Sequence, residues 1–261
     1  MEINLKNKTA WVFGGSRGIG RAIAIKLAES GANILLISRN RMALQKTQDE
    51  LCTKFGQEHD SISLDMSDVE SIYTKLNNYI NLNSVDILIN NSGGPEGGLA
   101  HTAELDEYTS AFRQHILSAQ TVSKIVIGVM KKKRFGRIIN IISTSVKQPI
   151  EGLGVSNTIR GAMANWAKTL ATELGSYQIT VNNILPGATQ TNRLIELIQK
   201  KAIKNHCEEN TIAEKMKSSI PLGRFAMPEE IAYMVVFLCS NYADYITGIN
   251  VPVDGGRTKS L

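Results

Sequence analysis

Ala10-Trp11-Val12-Phe13-Gly14-Gly15-Ser16-Arg17-Gly18-Ile19-Gly20 is the stretch whose reading decides the fold. Four apolar residues make a short buried strand, and five glycines and polar residues then turn the chain. A helical stripe of Ile19, Ile23 and Leu27 follows, and Gly31 closes that helix. A strand, a glycine-rich turn and a helix N-terminus form an anion cradle. Glycines let the backbone approach a pyrophosphate, and the helix end presents free N–H groups and positive potential.

Outward from this unit the same alternation continues to the end of the chain. Further apolar, β-rich runs occur at Asn33–Ile37, Ser61–Leu64, Val85–Ile89, Arg137–Ile142, Ile179–Leu185 and Ile249–Val253. Several are nearly continuous apolar runs, as expected for parallel strands covered on both faces. Helical periods fill the gaps between them. The pattern predicts an α/β fold: one doubly wound, parallel, seven-stranded sheet of Rossmann type with helices on both faces. No repeat, low-complexity tract or linker interrupts it, so residues 1–261 are expected to form a single dinucleotide-binding domain. One irregular insertion, polar, Lys-rich and helix-prone, runs from about Thr191 to Pro221. It is expected to be a lid over the substrate.

Composition narrows the function classes. A hydrophobic fraction of 43% in 261 residues is ample for a buried core and argues against disorder. Cys52, Cys207 and Cys239 have no paired spacing, which fits a reduced cytoplasmic protein rather than a disulfide framework or metal site. No apolar run reaches the roughly 18 residues of a spanning helix. The N-terminus lacks a signal-peptide pattern, and Lys259-Ser260-Leu261 is not a peroxisomal tripeptide. The formal charge of +5 is modest, and its densest cluster is Lys131-Lys132-Lys133-Arg134. No aromatic residues interleave with it as a stacking platform for bases. It reads as a solvated helix C-terminus ended by Gly136, with its cations facing the helix dipole. Neither nucleic acid nor membrane is expected as a partner.

The second strand ends at Ile37-Ser38-Arg39-Asn40. An acid there would hydrogen-bond the adenosine ribose and favour NAD. None is present. Arg39, with Arg17 in the cradle, instead offers guanidinium forks for a 2′-phosphate. The expected cofactor is therefore NADP, with NAD as the alternative.

Five segments in order carry a resemblance to a known family. Gly14, Gly18 and Gly20 have its glycine spacing. Asp65 lies in Leu64-Asp65-Met66, and Asn90-Asn91-Ser92-Gly93 follows the fourth strand. Pro186-Gly187-Ala188-Thr189-Gln190-Thr191 follows the sixth strand, and Val253-Asp254-Gly255-Gly256 ends the pattern. The chain resembles the short-chain dehydrogenase/reductase family along nearly its whole length, and within it the 3-oxoacyl-acyl-carrier-protein reductases. The resemblance implies cofactor contacts at Gly14, Ser16, Arg17, Gly18, Ile19 and Gly20 in the cradle. It places Arg39 at the adenosine phosphate, Asp65 at the adenine edge, and Asn91 and Gly93 against the cofactor. Arg160 would meet the ribose, and Pro186, Gly187, Thr189 and Thr191 the nicotinamide amide. Phe13 stands where the family usually has Thr. The resemblance also implies a carbonyl substrate, small or carrier-bound, and a homotetramer built with two-fold symmetry through the segment Ile246-Thr247-Gly248.

The family's catalytic set is Asn, Ser, Tyr and Lys, and here only Ser143 is retained. His115 falls at Asn, Ser156 at Tyr and Arg160 at Lys, with Lys168-Thr169-Leu170-Ala171 fixing the register. None of the seven tyrosines is followed by Lys four residues on. A phenol has a pKa near 10 that a neighbouring cation pulls toward neutrality, whereas an aliphatic alcohol is far weaker and shorter. Arg160 is able to bind hydroxyls and stabilise an oxyanion, but will not give up its proton. The substitute proton donors are His115, whose ordinary pKa is near 6.5, then Lys147 and Glu151 in the loop after Ser143. Two readings follow: an NADPH-dependent carbonyl reductase with rewired acid catalysis, or a catalytically silent NADP-binding sensor or partner subunit. Non-redox chemistry on the same scaffold is the third.

Overall fold

Alternation within the first strand sets the two faces of the sheet. In β1 (Thr9–Phe13), Ala10 and Val12 point to one side, and Trp11 and Phe13 to the other. The same division runs through β2 (Asn33–Ser38), β4 (Ile87–Asn91), β5 (Gly136–Ile141) and β6 (Ile179–Pro186). Shorter strands β3 (Asp60–Ser63) and β7 (Asn250–Val253) form the two edges. The computed structural model describes residues 2–80 and 84–260. Met1 and Leu261, at the ends of the terminal stretches read above for targeting signals, lie outside the described residues, as do residues 81–83.

The seven strands pair in the order β3-β2-β1-β4-β5-β6-β7, every pairing parallel, as the alternation of runs predicts. Pro252 lacks an N–H to donate and is tolerated because β7 is an edge strand. Helices α1 (Gly18–Glu29), α2 (Arg41–Asp49) and α9 (Pro228–Cys239) cover one face. On the other lie α3 (Val69–Ile80), α5 (Ser118–Lys133) and α6 (Gly154–Leu174). A shorter α4 (Leu105–Phe112) runs into α5 through a π turn over Arg113–Leu117. Strand order reverses between β1 and β4, and a parallel sheet opens a crevice outside the carboxyl ends of its strands at that point. The glycine turn after β1 and the Asn91–Gly93 segment after β4 flank that point.

The helix-prone insertion forms α7 (Asn192–Lys204) and α8 (Glu209–Ser218). Leu194, Ile198, Ala202, Ile212, Ile220 and Phe225 give it a small apolar core of its own. One expectation is corrected at α5. Gly136 does not end that helix: Arg134 takes the left-handed conformation at φ 51°, and the Arg134 and Phe135 N–H groups bond back to Lys131 and Met130. Gly136 instead opens β5, buried where a Cβ would lie 2.7 Å from Met130 Sδ. The lysines do occupy the last turn of α5, where the helix dipole favours cations.

Candidate active site

The cradle is built by close backbone approach. Gly14 sits at φ 63°, and a Cβ there would lie 2.5 Å from Asn91 Nδ2. A Cβ on Gly20 would lie 2.2 Å from the Gly14 carbonyl oxygen, so no larger residue fits either position. Asn91 threads its amide into this turn and donates to the Phe13 carbonyl at 3.2 Å, tying β4 to the end of β1. That bond is backbone-directed, so Phe13 in place of Thr leaves it intact. Arg17 precedes α1 in an extended conformation, and no side chain caps the helix end. The first-turn N–H groups of α1 are thus available to an anion, and no acid in that turn opposes one.

Around this cradle stand the other expected cofactor residues. Arg17 and Arg39 are both exposed at the carboxyl edge of β1 and β2. Arg39 lies 3.7 Å from Asp65, and a pair so exposed is held weakly. The Ser67 backbone N–H and hydroxyl, then Arg39, hold the Asp65 carboxyl below its usual range. Gly187 packs against Asp254, with 2.7 Å from its ideal Cβ to that Cα, and its N–H donates to Val253. Thr189 is buried and bonds back to the Gly187 carbonyl at 3.1 Å. Thr191 caps α7, and its methyl lies 3.2 Å from the ideal Cβ of Gly18. The start of α7 therefore rests on the glycine turn.

The catalytic positions divide into two groups. Ser143 follows β5, half-buried, and its hydroxyl accepts from the Ser145 N–H at 3.1 Å. Ser156 and Arg160 are buried one turn apart on α6. Arg160 is only 6% exposed, and its Nη1 donates to the carbonyl of Ile141, at the end of the strand that leads to Ser143. Burial, then the charge of Arg193, pulls its guanidinium down to about 10. Lys147 is half-buried in the loop after Ser143, and Glu151 is exposed beyond it. Asn157 pins that loop by bonding both the N–H and the carbonyl of Ile150.

His115 lies inside the π turn, a distortion frequent at functional sites. It is 4% exposed, with Nδ1 2.7 Å from the Ser92 hydroxyl and Nε2 buried without a partner. His115, Asn90, whose Oδ1 is also buried without a partner, Ser92, Ile141, Arg160 and Met163 line a partly enclosed cavity of about 10 Å³. That is roughly one water in size, with the polar partners a water requires. Burial, with Arg160 and Arg193 nearby, pushes the imidazole down to about 3. This is below the ordinary value near 6.5, so the surroundings favour the uncharged ring near neutral pH.

Two features of the site escaped the sequence reading. Arg193, the second residue of α7, reaches over Gly93 and Gly94 and donates to the Pro95 carbonyl at 3.3 Å. In sequence it looks like one more cation of a basic segment. Asn90, Asn140, Asn183 and Asn250 form a ladder across β4, β5, β6 and β7, each Nδ2 donating to the next Oδ1 at 2.8–2.9 Å. The signal was the strand register, which the sequence alone does not give. In it Asn90 faces Asn140, Asn140 faces Asn183, and Asn183 faces Asn250.

Comparison with known proteins identifies the family. Residues 14–258 match the family model described as enoyl-(acyl carrier protein) reductase. The NADPH-dependent reductase BacG of Bacillus subtilis is 30% identical, over 98% of this chain and 100% of its own. The 3-oxoacyl-[acyl-carrier-protein] reductase FabG of Aquifex aeolicus is 33% identical, over 98% of this chain and 99% of its own. Among solved structures, the L-sorbose reductase of Gluconobacter frateurii, complexed with NADPH and L-sorbose, superposes with a TM-score of 0.93 at 30% identity, each chain covered in full. The chain belongs to the short-chain dehydrogenase/reductase family.

Proposed function

We propose that this protein is an NADP(H)-dependent carbonyl reductase that works without an ionising proton donor in its site. The observation that carries the reading is the side-chain-free cradle of Gly14, Gly18 and Gly20 at the open end of α1, with the buried cation Arg160 standing beside the end of β5. These residues fit a dinucleotide. The α1 N-terminus takes the pyrophosphate, with Ser16 and Ile19 in the turn around it. Arg17 and Arg39 take the 2′-phosphate, and the lack of an acid after β2 favours NADP over NAD. Asp65 meets the adenine edge, Asn91 and Gly93 form the floor, and Arg160 binds ribose hydroxyls. Pro186, Gly187, Thr189 and Thr191 hold the nicotinamide amide. A bound reduced nicotinamide supplies a hydride.

The chain's own residues supply the rest. Ser143 donates a hydrogen bond to the substrate carbonyl and fixes its orientation. Arg160, buried and charged, stabilises the oxyanion as it develops, worth far more at a dry site than in water. Neutral His115 holds one water in its cavity between Nε2 and the Asn90 carbonyl oxygen, and solvent, not a side chain, provides the proton. Ser156 stays a buried hydroxyl, too short to stand in for a phenol. The 191–221 insertion acts as a lid, because its helix rests on Gly18 and latches to Pro95.

The substrate is a carbonyl compound, small or carrier-bound, as the names of the relatives suggest, and the expected setting is a cytoplasmic homotetramer. A fluorescence titration should show NADPH binding in the micromolar range or tighter, with weaker NADH binding. Oxidation of NADPH should accompany at least one class of ketone. The missing phenol favours a second reading, a silent NADP-binding partner subunit. Tight NADPH binding with no oxidation across a broad carbonyl panel would select it.

A further inference from the structure

Two guanidinium groups converge on one point above the backbone that follows β4. Arg160 Nη2 and Arg193 Nη2 each lie 3.3 Å from the ideal Cβ position of Gly94, and Arg193 Nη1 lies 3.8 Å from that of Gly93. Like charges brought this close repel unless an anion lies between them. Among the described residues, neither arginine has a carboxylate within ion-pair distance. Glu96, whose carboxyl feels the charge of Arg193, is held by Lys200 at 2.9 Å. Among the described residues, the two side chains donate to the neutral carbonyls of Ile141 and Pro95. Gly94 leaves the space between them clear, because any side chain there would meet both guanidinium groups.

The energetics favour a ligand rather than a structural role. Arg160 is buried, and a buried cation without a counter-ion is costly. Arg193 adds to that cost, as the depressed guanidinium of Arg160 and the depressed imidazole of His115 both show. A residue retained only to latch the lid could bond Pro95 from farther out. Arg193 is exposed on its outer side and rides on α7, so it arrives at the site with the lid. A planar, two-nitrogen fork matches a carboxylate in its own plane.

We propose that Arg193 is a specificity-determining residue that, with Arg160, seats the carboxylate of an anionic ketone, so that the preferred substrates are keto acids rather than neutral carbonyl compounds. This rests on the reductase reading above and names the substrate class for it. In the reaction the ketone carbon gains a hydride, its oxygen gains a proton from water, and the carboxylate is unchanged. The same fork chemistry would suit a phosphate of the dinucleotide, so the test must separate the two sources.

The test compares a keto acid with its own methyl ester, for example acetoacetate with methyl acetoacetate, in the wild type, Arg193→Met and Arg193→Lys. The wild type should prefer the acid in kcat/KM by about tenfold or more. Arg193→Met should collapse that ratio toward one through KM, and Arg193→Lys should restore part of it. An acid-to-ester ratio near one in the wild type, or a ratio unmoved in Arg193→Met, would overturn the proposal. A rise in the NADPH dissociation constant in Arg193→Met with the ratio unchanged would assign the arginine to the cofactor phosphate instead. Should no ketone be reduced, calorimetric titration of acetoacetate into the NADP-loaded protein still decides. Binding lost in Arg193→Met supports the anion seat while the reductase reading fails, and no binding to the wild type overturns the seat.

Discussion

At the scale of single residues, the departures from the family pattern form a consistent set. A phenol next to a lysine works by ionising, and a lysine can relay a proton. Ser156, Arg160 and a neutral His115 do neither near neutral pH. On the reading proposed above, what remains is charge held close to the reacting oxygen. The depressed His115 has a consequence for stability. An unfolded histidine takes up a proton below pH 6.5, whereas the folded ring resists protonation down to about 3. The unfolded state therefore binds more protons across this window, and folding stability falls as pH drops through it. The loss reaches on the order of a few kcal/mol at the acid end. His115→Gln should unfold at a similar denaturant concentration to wild type at neutral pH, and at a higher one than wild type near pH 4. Parallel losses in both proteins would show that His115 is not the responsible group. His115 and Arg160 were legible in the sequence because a downstream register fixed them against a known motif. The low pKa was not legible, since it depends on what α6 and α7 place around the ring. Arg193 was invisible for the same reason: its partners, Gly93 to Pro95, are about a hundred positions away in the chain.

At the scale of elements, the seven strands could be read almost to the residue, because parallel strands covered on both faces are long apolar runs bounded by glycine and polar residues. The asparagine ladder could not, because two of its members looked like ordinary polar interruptions in strands. Asn140 is fully buried, receives a bond from Asn90 and gives one to Asn183. Replacing it by Ala leaves a buried donor and a buried acceptor unpaired, at a cost of about 2–4 kcal/mol. Urea unfolding should show that loss. A cost below about 0.5 kcal/mol would mean that water replaces the amide without difficulty. The ladder ends at Asn90 beside the His115 cavity, so it also fixes the carbonyl oxygen that helps to hold a water there. The end of α5 shows the opposite failure. A glycine three residues past the helix looked like its cap, yet Arg134 accepted the left-handed turn because packing against Met130 and Ile179 needed the glycine in β5.

At the scale of the whole molecule, the order of strands brings the glycine turn after β1 beside the segment that follows β4, and the start of α7 rests on both. The 191–221 segment touches the rest of the chain at Thr191 on Gly18, Arg193 on Pro95, Lys200 on Glu96, and Ile220 and Pro221 beside Gly255 and Gly256. Its long first helix carries Arg193 and an apolar face for its own small core. No helix among the described residues is long and apolar enough to cross a membrane. The central claim, hydride transfer to a carbonyl with charge stabilisation in place of an ionising acid, is tested most directly by the pH dependence of kcat under saturating NADPH and ketone. No group assigned to the chemistry titrates between His115 at about 3 and Arg160 at about 10. The profile should therefore be level from about pH 5 to pH 9. A rate that falls with an apparent pKa between about 6 and 8, or no turnover at any pH, would contradict it.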